Sequence, residues 1–155
     1  MRIGLVLVAR PYNPGPSGNH DPPAIRIRES DGGWFDRVFA VGRAYGGGRY
    51  YSRGVFRGKR AMCSVTVGGS ARMYSDLGAY GPVDIALRPI HHGILAFVGF
   101  SILEPFVVYA PARLGDVERN ACLQRYRDRV LALESTPALA PLDLTHYDGL
   151  IRRSA

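Results

Sequence analysis

The sequence predicts an α/β domain in which helices flank a parallel sheet. Three apolar runs, at residues 1–9, 61–67 and 101–110, are rich in Ile, Leu and Val and are typical of strands buried inside such a sheet. Two segments with helical spacing of apolar residues, 83–97 and 116–134, follow the second and third runs. This alternation favours parallel pairing, because a helix between two strands returns the chain to the edge from which it started.

Length and composition indicate one folded domain, 1–155. The chain has 155 residues, of which 46% are hydrophobic and 21% are charged. Its net charge of +7 comes almost wholly from arginine, since Lys59 is the only lysine. The arginines are spread along the chain without a dense run, so we do not predict nucleic-acid binding. No apolar run reaches membrane-spanning length and residues 1–9 lack a signal-peptide pattern, so we expect a cytoplasmic protein with no membrane span.

The amino-terminal part is predicted to be mostly irregular after its first strand. Residues 10–23 are dense in Pro, Gly and Asn and should form a loop. Residues 24–27 alternate briefly, and their assignment stays open. A short helix is predicted at 34–41, and the Gly-rich stretch 45–58 is predicted to be a loop.

The second apolar run ends in a pair of glycines. Gly68 and Gly69 directly follow the strand predicted at 61–67. Ligands of open α/β sheets sit outside the carboxyl ends of the strands. Because glycine has no Cβ, the backbone N–H groups there can approach a flat ring or a phosphate closely. An ordinary strand followed by a turn has the same pattern, so the motif needs support from its surroundings.

Prolines mark the expected irregularities of the carboxyl-terminal half. Pro82 suits the first turn of a helix, and Pro89 predicts that this helix kinks or starts late. Pro105 inside the third strand predicts an edge position or a bulge. The last helix, 116–134, should bury one side, made of Val117, Leu123, Tyr126, Val130 and Leu133.

The cysteines and histidines form no recognisable metal site. Cys63 and Cys122 are predicted to be buried thiols, and no Cys, His or carboxylate cluster has metal-ligand spacing. His91 and His92 point about 100 degrees apart on a helix, so they are unsuited to chelating one ion. We expect a packed or dimer-facing pair.

Several longer motifs recur in the order of a known family. They are GWFDRVFA at 33–40, the Gly-rich block 44–62, MYSDLGAYG at 73–81, and the block 88–114 that begins RPIHHGILAFVGF. This order resembles the NAD(P)H:quinone oxidoreductase family, flavoproteins of flavodoxin-like fold. The resemblance covers 33–134, which leaves a divergent strand and loop at 1–32 and a tail at 135–155.

The resemblance also implies that strands are missing. The family has five parallel strands in the order 2-1-3-4-5, and about three are recognisable here, at the positions of strands 1, 4 and 5. Residues 24–33 leave no room for the family's strands 2 and 3. The domain should therefore be a shortened one, whether by true deletion or by an incorrect gene start. Strand 1 should pair directly with strand 4, or else with another molecule.

The resemblance implies that FAD or FMN passes a hydride from NAD(P)H to a quinone, in a homodimer. Thr66, Val67, Gly68 and Gly69 match the family's flavin loop, with Val67 at the position of a usual second Thr. Tyr74 matches a tyrosine beside the flavin ring, although it could equally anchor its own loop. Ser17 and Asn19 faintly resemble the flavin-phosphate loop.

Two tyrosines are the catalytic candidates. Tyr45 matches an aromatic that caps the partner's substrate slot, unless it simply packs on the Gly-rich loop. Tyr80 stands where some relatives have a His that assists proton movement, and a phenol is the poorer proton donor at neutral pH. A non-catalytic, dimerising remnant with weak or no flavin binding is therefore the alternative function.

Overall fold

Four strands form the central sheet. The computed structural model describes residues 2–8, 25–27, 39–142, 144–148 and 150–153. The sheet has the strand order β2-β1-β3-β4. Its strands are β1 (Arg2–Val8), β2 (Ile25–Ile27), β3 (Arg60–Val67) and β4 (Ser101–Tyr109). The three predicted strands are all present, and the open segment 24–27 supplies the fourth.

The strand directions match the prediction on one side of β3 only. The pair β3–β4 is parallel, as expected. Strand β1 lies directly beside β3, also as expected, but it runs antiparallel to it, with Arg2 opposite Thr66 and Val8 opposite Arg60. The expectation of a wholly parallel sheet was therefore wrong for β1. An apolar run has the same pattern in either direction, so its composition cannot set its orientation.

Both features predicted at Pro105, an edge position and a bulge, are present. Strand β4 is at the edge of the four-stranded sheet, where a residue without an N–H is tolerated. Met62 pairs with Leu103 and Ser64 pairs with Phe106, so one extra residue of β4 bulges out at Glu104 and Pro105.

Two helical regions flank the sheet. Helix α1 (Val83–Arg88) continues directly into a π-helical segment, Pro89–Ala96, and helix α2 spans Asp116–Leu131. The winding changes at Pro89, where the sequence predicts a kink, because proline cannot donate the helical hydrogen bond. In the described part of the chain, no helix has the length and apolar content needed to cross a membrane.

The β3–β4 pair has a different cluster on each face. One face packs against α1, the π-helical segment and the loop at 39–58, and we call this the large cluster. Its buried members are Phe39, Ala44, Ala61, Cys63, Val65, Val67, Val83, Leu87, Leu95, Val98, Phe100 and Ile102. The opposite face forms a small cluster of Met62, Leu103 and Leu133.

Helix α2 covers the sheet with its carboxyl-terminal half alone. Tyr126 and Val130 pack on the small cluster, as predicted, and Leu133 is buried in it just beyond the helix. The prediction was wrong for Val117 and Leu123, which are 84% and 64% exposed. Helical spacing aligned these residues, but the sheet does not extend beneath the first half of the helix in the described residues.

Among the remaining segments, the predicted loop at 45–58 is confirmed, and the helix predicted at 34–41 is wrong at its described end, 39–41. The loop at 45–58 contains only a short 3₁₀ turn, Tyr51–Arg53. After Pro137 the chain forms a bridge between Ala138 and Leu103 and then a small hairpin, β5 (Tyr147–Asp148) and β6 (Ile151–Arg152). Residues 34–38 of the predicted short helix lie outside the described residues, and 39–41 are not helical.

Candidate functional site

The carboxyl ends of β3 and β4 meet at one edge of the sheet. Val67, the last residue of β3, pairs with Tyr109, the last residue of β4. The Ala110 N–H donates to the Val67 carbonyl at 2.7 Å, and Ala110 turns into the left-handed region at φ 45°. This bond fixes both strand ends side by side, so whatever follows them shares one surface.

Gly68 and Gly69 extend from this edge. Gly68 is exposed, and a Cβ placed on it would meet nothing within 4 Å. A Cβ on Gly69 would lie 3.0 Å from Tyr74 Cε2 and 3.2 Å from Met73 Sδ. Neither glycine N–H donates a hydrogen bond to another described residue. The pair thus presents backbone donors on one side and holds Tyr74 closely on the other.

Three tyrosine rings gather beside these glycines. Tyr74 stacks on Tyr80 with ring centres 5.1 Å apart and an interplanar angle of 29°, and it lies 6.0 Å from the tilted ring of Tyr109. Tyr74 and Tyr109 are half-buried, whereas Tyr80 is 59% exposed. Sequence reasoning missed Tyr109. Its place at the end of a strand parallel to β3 was the available signal, because both carboxyl ends must reach the same edge.

The loop between Met73 and Gly81 is closed on itself. The Tyr80 N–H donates to the Met73 carbonyl at 3.1 Å, and the Gly78 N–H donates to Ser75 at 2.9 Å. Gly78 packs directly on the backbone of Met73, where any side chain would collide with the carbonyl. These contacts close the loop that carries the stacked rings of Tyr74 and Tyr80.

Thr66 and Val67 lie on opposite faces of β3 and differ in burial. The Val67 side chain is buried in the large cluster, so only its backbone can face a ligand. Thr66 is half-buried on the opposite face of β3, where it pairs with Val108 and Arg2. The substitution of the family's second Thr by Val67 therefore leaves the backbone surface of the loop available.

Tyr45 is not part of this group. Tyr45 packs edge-on against Phe97 at 5.4 Å, and its carbonyl accepts the Gly42 N–H at 2.7 Å. Within the described residues no ring contact joins it to the three tyrosines. Ser17 and Asn19 lie outside the described residues. Strand β1, which precedes them, ends at Val8 beside Arg60, at the opposite end of β3 from Gly68.

Cys63 is not a candidate nucleophile, and the described residues form no metal site at either thiol. Burial raises the pKa of Cys63 to about 12, which keeps it protonated. Cys122 is half-buried rather than buried, and its Sγ accepts a hydrogen bond from Arg125 at 2.9 Å. The described residues contain no group of three or more His, Cys, Asp or Glu side chains placed to hold a metal ion.

The adjacent histidines occupy different environments. His91 is buried, and burial lowers its pKa, an effect that the negative charge of Asp84 partly opposes. His92 faces Tyr51, with Nε2 3.4 Å from the phenol oxygen and the two rings 5.1 Å apart. They form a packed pair, one of the two arrangements that the sequence predicted.

A scan against family models matches residues 32–133 to the model described as "Flavodoxin-like fold". The chain belongs to this flavodoxin-like family. The match begins and ends within a residue of the region 33–134 that the sequence motifs define. The fold class predicted from the sequence is therefore confirmed, with the antiparallel β1 as its one departure in the described sheet.

Curated and solved relatives agree on the type of protein. The chain is similar to rat NAD(P)H dehydrogenase [quinone] 1, with 39% identity over 72% of this chain and 42% of the relative. It is similar to human ribosyldihydronicotinamide dehydrogenase [quinone], with 38% identity over 63% of this chain and 42% of the relative. A crystal structure from Klebsiella pneumoniae, provisionally assigned as a quinone reductase, superimposes with a TM-score of 0.61 at 34% identity, over 76% of this chain and 47% of that one. The chain thus spans less than half the length of these relatives.

The site suits a flat ligand that carries hydrogen-bond acceptors at its edge. Two backbone donors without a partner among the described residues lie at Gly68 and Gly69, next to stacked phenol rings. Backbone N–H groups bind ring oxygens and nitrogens, while tyrosines supply both a stacking surface and a hydroxyl. The donor set therefore fits a flavin ring and does not fit a metal ion.

Proposed function

We propose that this chain forms the flavin-contacting part of a flavin-dependent NAD(P)H:quinone oxidoreductase, with FAD or FMN as cofactor. The observation on which the proposal depends is the shared edge of β3 and β4. There the exposed Gly68 and the tightly packed Gly69 lie beside the Tyr74, Tyr80 and Tyr109 rings. The similarity to quinone dehydrogenases over 72% and 63% of this chain supports it.

The residues of this chain would bind and orient the reactants. A bound flavin accepts two electrons as hydride from NAD(P)H and returns them to a quinone. The Gly68 and Gly69 N–H groups would donate to the ring, where negative charge grows on reduction. Tyr74 packs against Gly69 and Tyr109, and it would limit where the flavin ring can lie on one side. The backbone of Thr66 and Val67, which is paired with β4, would position the Gly68–Gly69 loop.

Tyr80 would act as a hydrogen-bond donor rather than as a rapid proton source. Its ring is stacked on Tyr74 and its exposure leaves the hydroxyl accessible. A phenol is a poorer proton donor than an imidazole at neutral pH, so solvent would supply the protons that a histidine would otherwise deliver. Tyr45 stays a proposed cap for a partner subunit's substrate slot, which requires a homodimer.

Flavin absorbance and turnover test the proposal directly. The purified chain should be yellow or should become so on titration with FAD or FMN. It should then oxidise NAD(P)H in the presence of a soluble quinone. Sedimentation of the flavin-loaded protein should give a dimer. A folded chain that neither retains nor binds either flavin would overturn the assignment.

The two glycines provide a matched pair of variants. Gly69→Ala places a methyl group 3.0 Å from Tyr74 and should weaken flavin binding by about tenfold, because either the loop or the ring must shift. Gly68→Ala meets open space and should bind flavin nearly as the parent chain does. Fluorescence quenching of added flavin measures both. Equal affinities for the two variants would place the ring elsewhere.

A non-catalytic flavodoxin-like remnant is the second candidate. The antiparallel β1 and the coverage of 42% of the curated relatives favour it, since a complete flavin site draws on more than one strand end. It predicts a folded chain with millimolar or no flavin affinity and no NAD(P)H oxidation. Turnover that is sensitive to Gly69→Ala would exclude it.

A further inference from the structure

The loop at 39–58 carries positive charge that its own segment of the chain does not neutralise. The sequence has no Asp or Glu between Asp36 and Asp76. The loop and the two residues after it hold a series of cations, which are Arg43, Arg49, Arg53, Arg57, Lys59 and Arg60. A surface region of one charge sign attracts a partner of the opposite sign.

Three of these arginines are exposed and have no fixed partner in the described part of the chain. They are Arg43, Arg53 and Arg57, whose guanidinium groups make no hydrogen bond or ion pair with a described residue. Arg49 differs, because it donates to two carbonyls of its own loop at 3.1 and 2.6 Å. The loop thus uses one arginine to hold its shape and leaves three for an external anion.

Two exposed valines accompany these arginines. Val41 is 71% exposed and Val55, which lies between two of the arginines in the chain, is 42% exposed. The rings of Phe39 and Phe56 are 5.4 Å apart, and this contact joins the two ends of the loop. Exposed aliphatic side chains beside arginines suit the headgroup layer of a membrane, where the apolar groups enter and the guanidinium groups bind phosphates.

Backbone hydrogen bonds hold the loop against the segment that precedes β4. The Tyr51 N–H donates to the Phe97 carbonyl at 2.9 Å, and the Phe56 N–H donates to the Val98 carbonyl at 3.0 Å. The exposed side chains are therefore carried on a fixed base. A surface formed before binding loses less conformational entropy than one that must be ordered by its partner.

The tyrosines of the loop are not available to stack on nucleic-acid bases. Tyr45, Tyr50 and Tyr51 are half-buried. All three pack around the Phe97 ring, with centres 5.4, 5.1 and 5.6 Å from it. Proteins that bind single-stranded nucleic acid stack the bases on accessible aromatic rings. The loop offers cations and aliphatic groups instead, which favours a lipid surface over a nucleic acid.

We propose that the loop at 39–58 binds the surface of an anionic lipid bilayer. The three exposed arginines pair with headgroup phosphates, and the two exposed valines insert between the headgroups. None of these five residues belongs to the Gly68–Gly69 edge, so the proposal does not depend on flavin binding.

Vesicles of defined composition test the proposal with the flavin-free chain. Vesicles of phosphatidylcholine with about 30% phosphatidylserine should bind the chain saturably in a sedimentation assay, about tenfold more tightly than pure phosphatidylcholine. Salt at about 0.5 M should release the chain, because it screens the attraction. Absence of binding, or equal binding to both kinds of vesicle, would overturn the proposal. A higher affinity for a single-stranded oligonucleotide than for the anionic vesicles would assign the loop to nucleic acid instead.

Arginine variants locate the contact. Arg43→Gln, Arg53→Gln and Arg57→Gln should each weaken binding to the anionic vesicles by about fivefold, the contribution of one arginine near such a surface. Arg127→Gln removes an equally exposed arginine from α2 and should leave the affinity unchanged. An equal loss at Arg127 would show attraction by the net charge alone and would overturn the proposal.

Valine variants test insertion into the headgroup layer. Val41→Ser and Val55→Ser should each weaken vesicle binding by about threefold, because they remove apolar area from the contact. Val117→Ser changes a valine of α2 that is 84% exposed, and should have no effect. If the loop variants altered the sedimentation coefficient of the free chain and not its vesicle binding, a dimer would bury this surface and the proposal would fall.

Discussion

The two faces of the β3–β4 pair differ in how completely they are covered. Among the residues whose burial the structure describes, the large cluster packs the pair against α1, the π-helical segment and the loop at 39–58, with twelve buried residues. The small cluster has three such residues, and the first half of α2 beside it exposes Val117 and Leu123. The same two strands thus have a dense face and a sparse face. The difference indicates that stability and the tyrosine group both depend mainly on the dense face.

Polar contacts hold part of the sparse face. The Arg60 guanidinium donates to the Leu133 carbonyl at 2.6 Å and to the Glu134 carbonyl, and Arg129 donates to the Glu104 carbonyl at 3.2 Å. These bonds attach the carboxyl-terminal end of α2 to the starts of both strands. They place the helix without burying its amino-terminal half.

One leucine on each face provides the sharpest comparison. Leu95 and Leu103 are both fully buried, the former in the large cluster and the latter in the small one. Leu95→Ala should lower the free energy of unfolding by about 4 kcal/mol and Leu103→Ala by about 2 kcal/mol, because a sparse cluster collapses more easily around the cavity. Urea denaturation measures both. Equal losses would show that the faces are packed alike.

The dense face also depends on a backbone contact between two glycines. Gly54 and Gly99 touch closely, and a Cβ on Gly99 would lie 2.7 Å from Gly54 Cα. Gly54→Ala should destabilise the fold by about 2 kcal/mol, because the collision is with backbone atoms that cannot rotate away.

Gly93→Ala is the matched control for that substitution. A Cβ at Gly93 meets nothing within 4 Å, and its φ is not in the left-handed region. We expect no loss of stability, or a small gain of about 0.5 kcal/mol, because alanine leaves the unfolded chain fewer conformations than glycine does. Thermal unfolding of both variants measures the difference, and similar melting temperatures would contradict the close contact.

Buried His91 on the dense face should give the stability a pH dependence. Its pKa is lowered by burial, so below pH about 6.5 the unfolded chain binds a proton that the folded chain resists. The free energy of unfolding is therefore highest above this pH, and it falls as the pH drops towards the pKa of His91 in the folded chain. His91→Gln should flatten the curve in urea titrations between pH 7 and 5, while His92→Gln should retain it. An unchanged slope in His91→Gln would assign the effect to other groups.

The smallest effect is expected on the exposed side of α2. Leu123→Gln should change the free energy of unfolding by less than about 0.5 kcal/mol, since this side chain is 64% exposed. Tyr126→Gln, one turn further along, should cost more because Tyr126 packs on Phe106 at 5.2 Å. A large loss at Leu123 would indicate that another surface covers it in solution.

Local patterns were sufficient wherever one stretch of chain decides the outcome. The strands at 61–67 and 101–110, the break in the helix at Pro89 and the bulge beside Pro105 were all predicted. Each follows from the apolar character or the missing N–H of the residues themselves. Gly68 and Gly69 were likewise placed at a strand end by their position in the chain.

Contacts between distant segments were harder to predict. Tyr109 was missed because its part in the tyrosine group depends on the pairing of β4 with β3. Val117 and Leu123 were misjudged because helical spacing shows which residues share a side but not whether anything covers that side.

The sequence by itself determined the family, the two parallel strands and the glycine pair at their edge, because each of these depends on residues that are neighbours along the chain. Tertiary structure alone decided the direction of β1, the tilted contact of Tyr109 with Tyr74, and the difference between the two faces. These features depend on which distant segments pack together, and side-chain burial is a property of that packing rather than of local order.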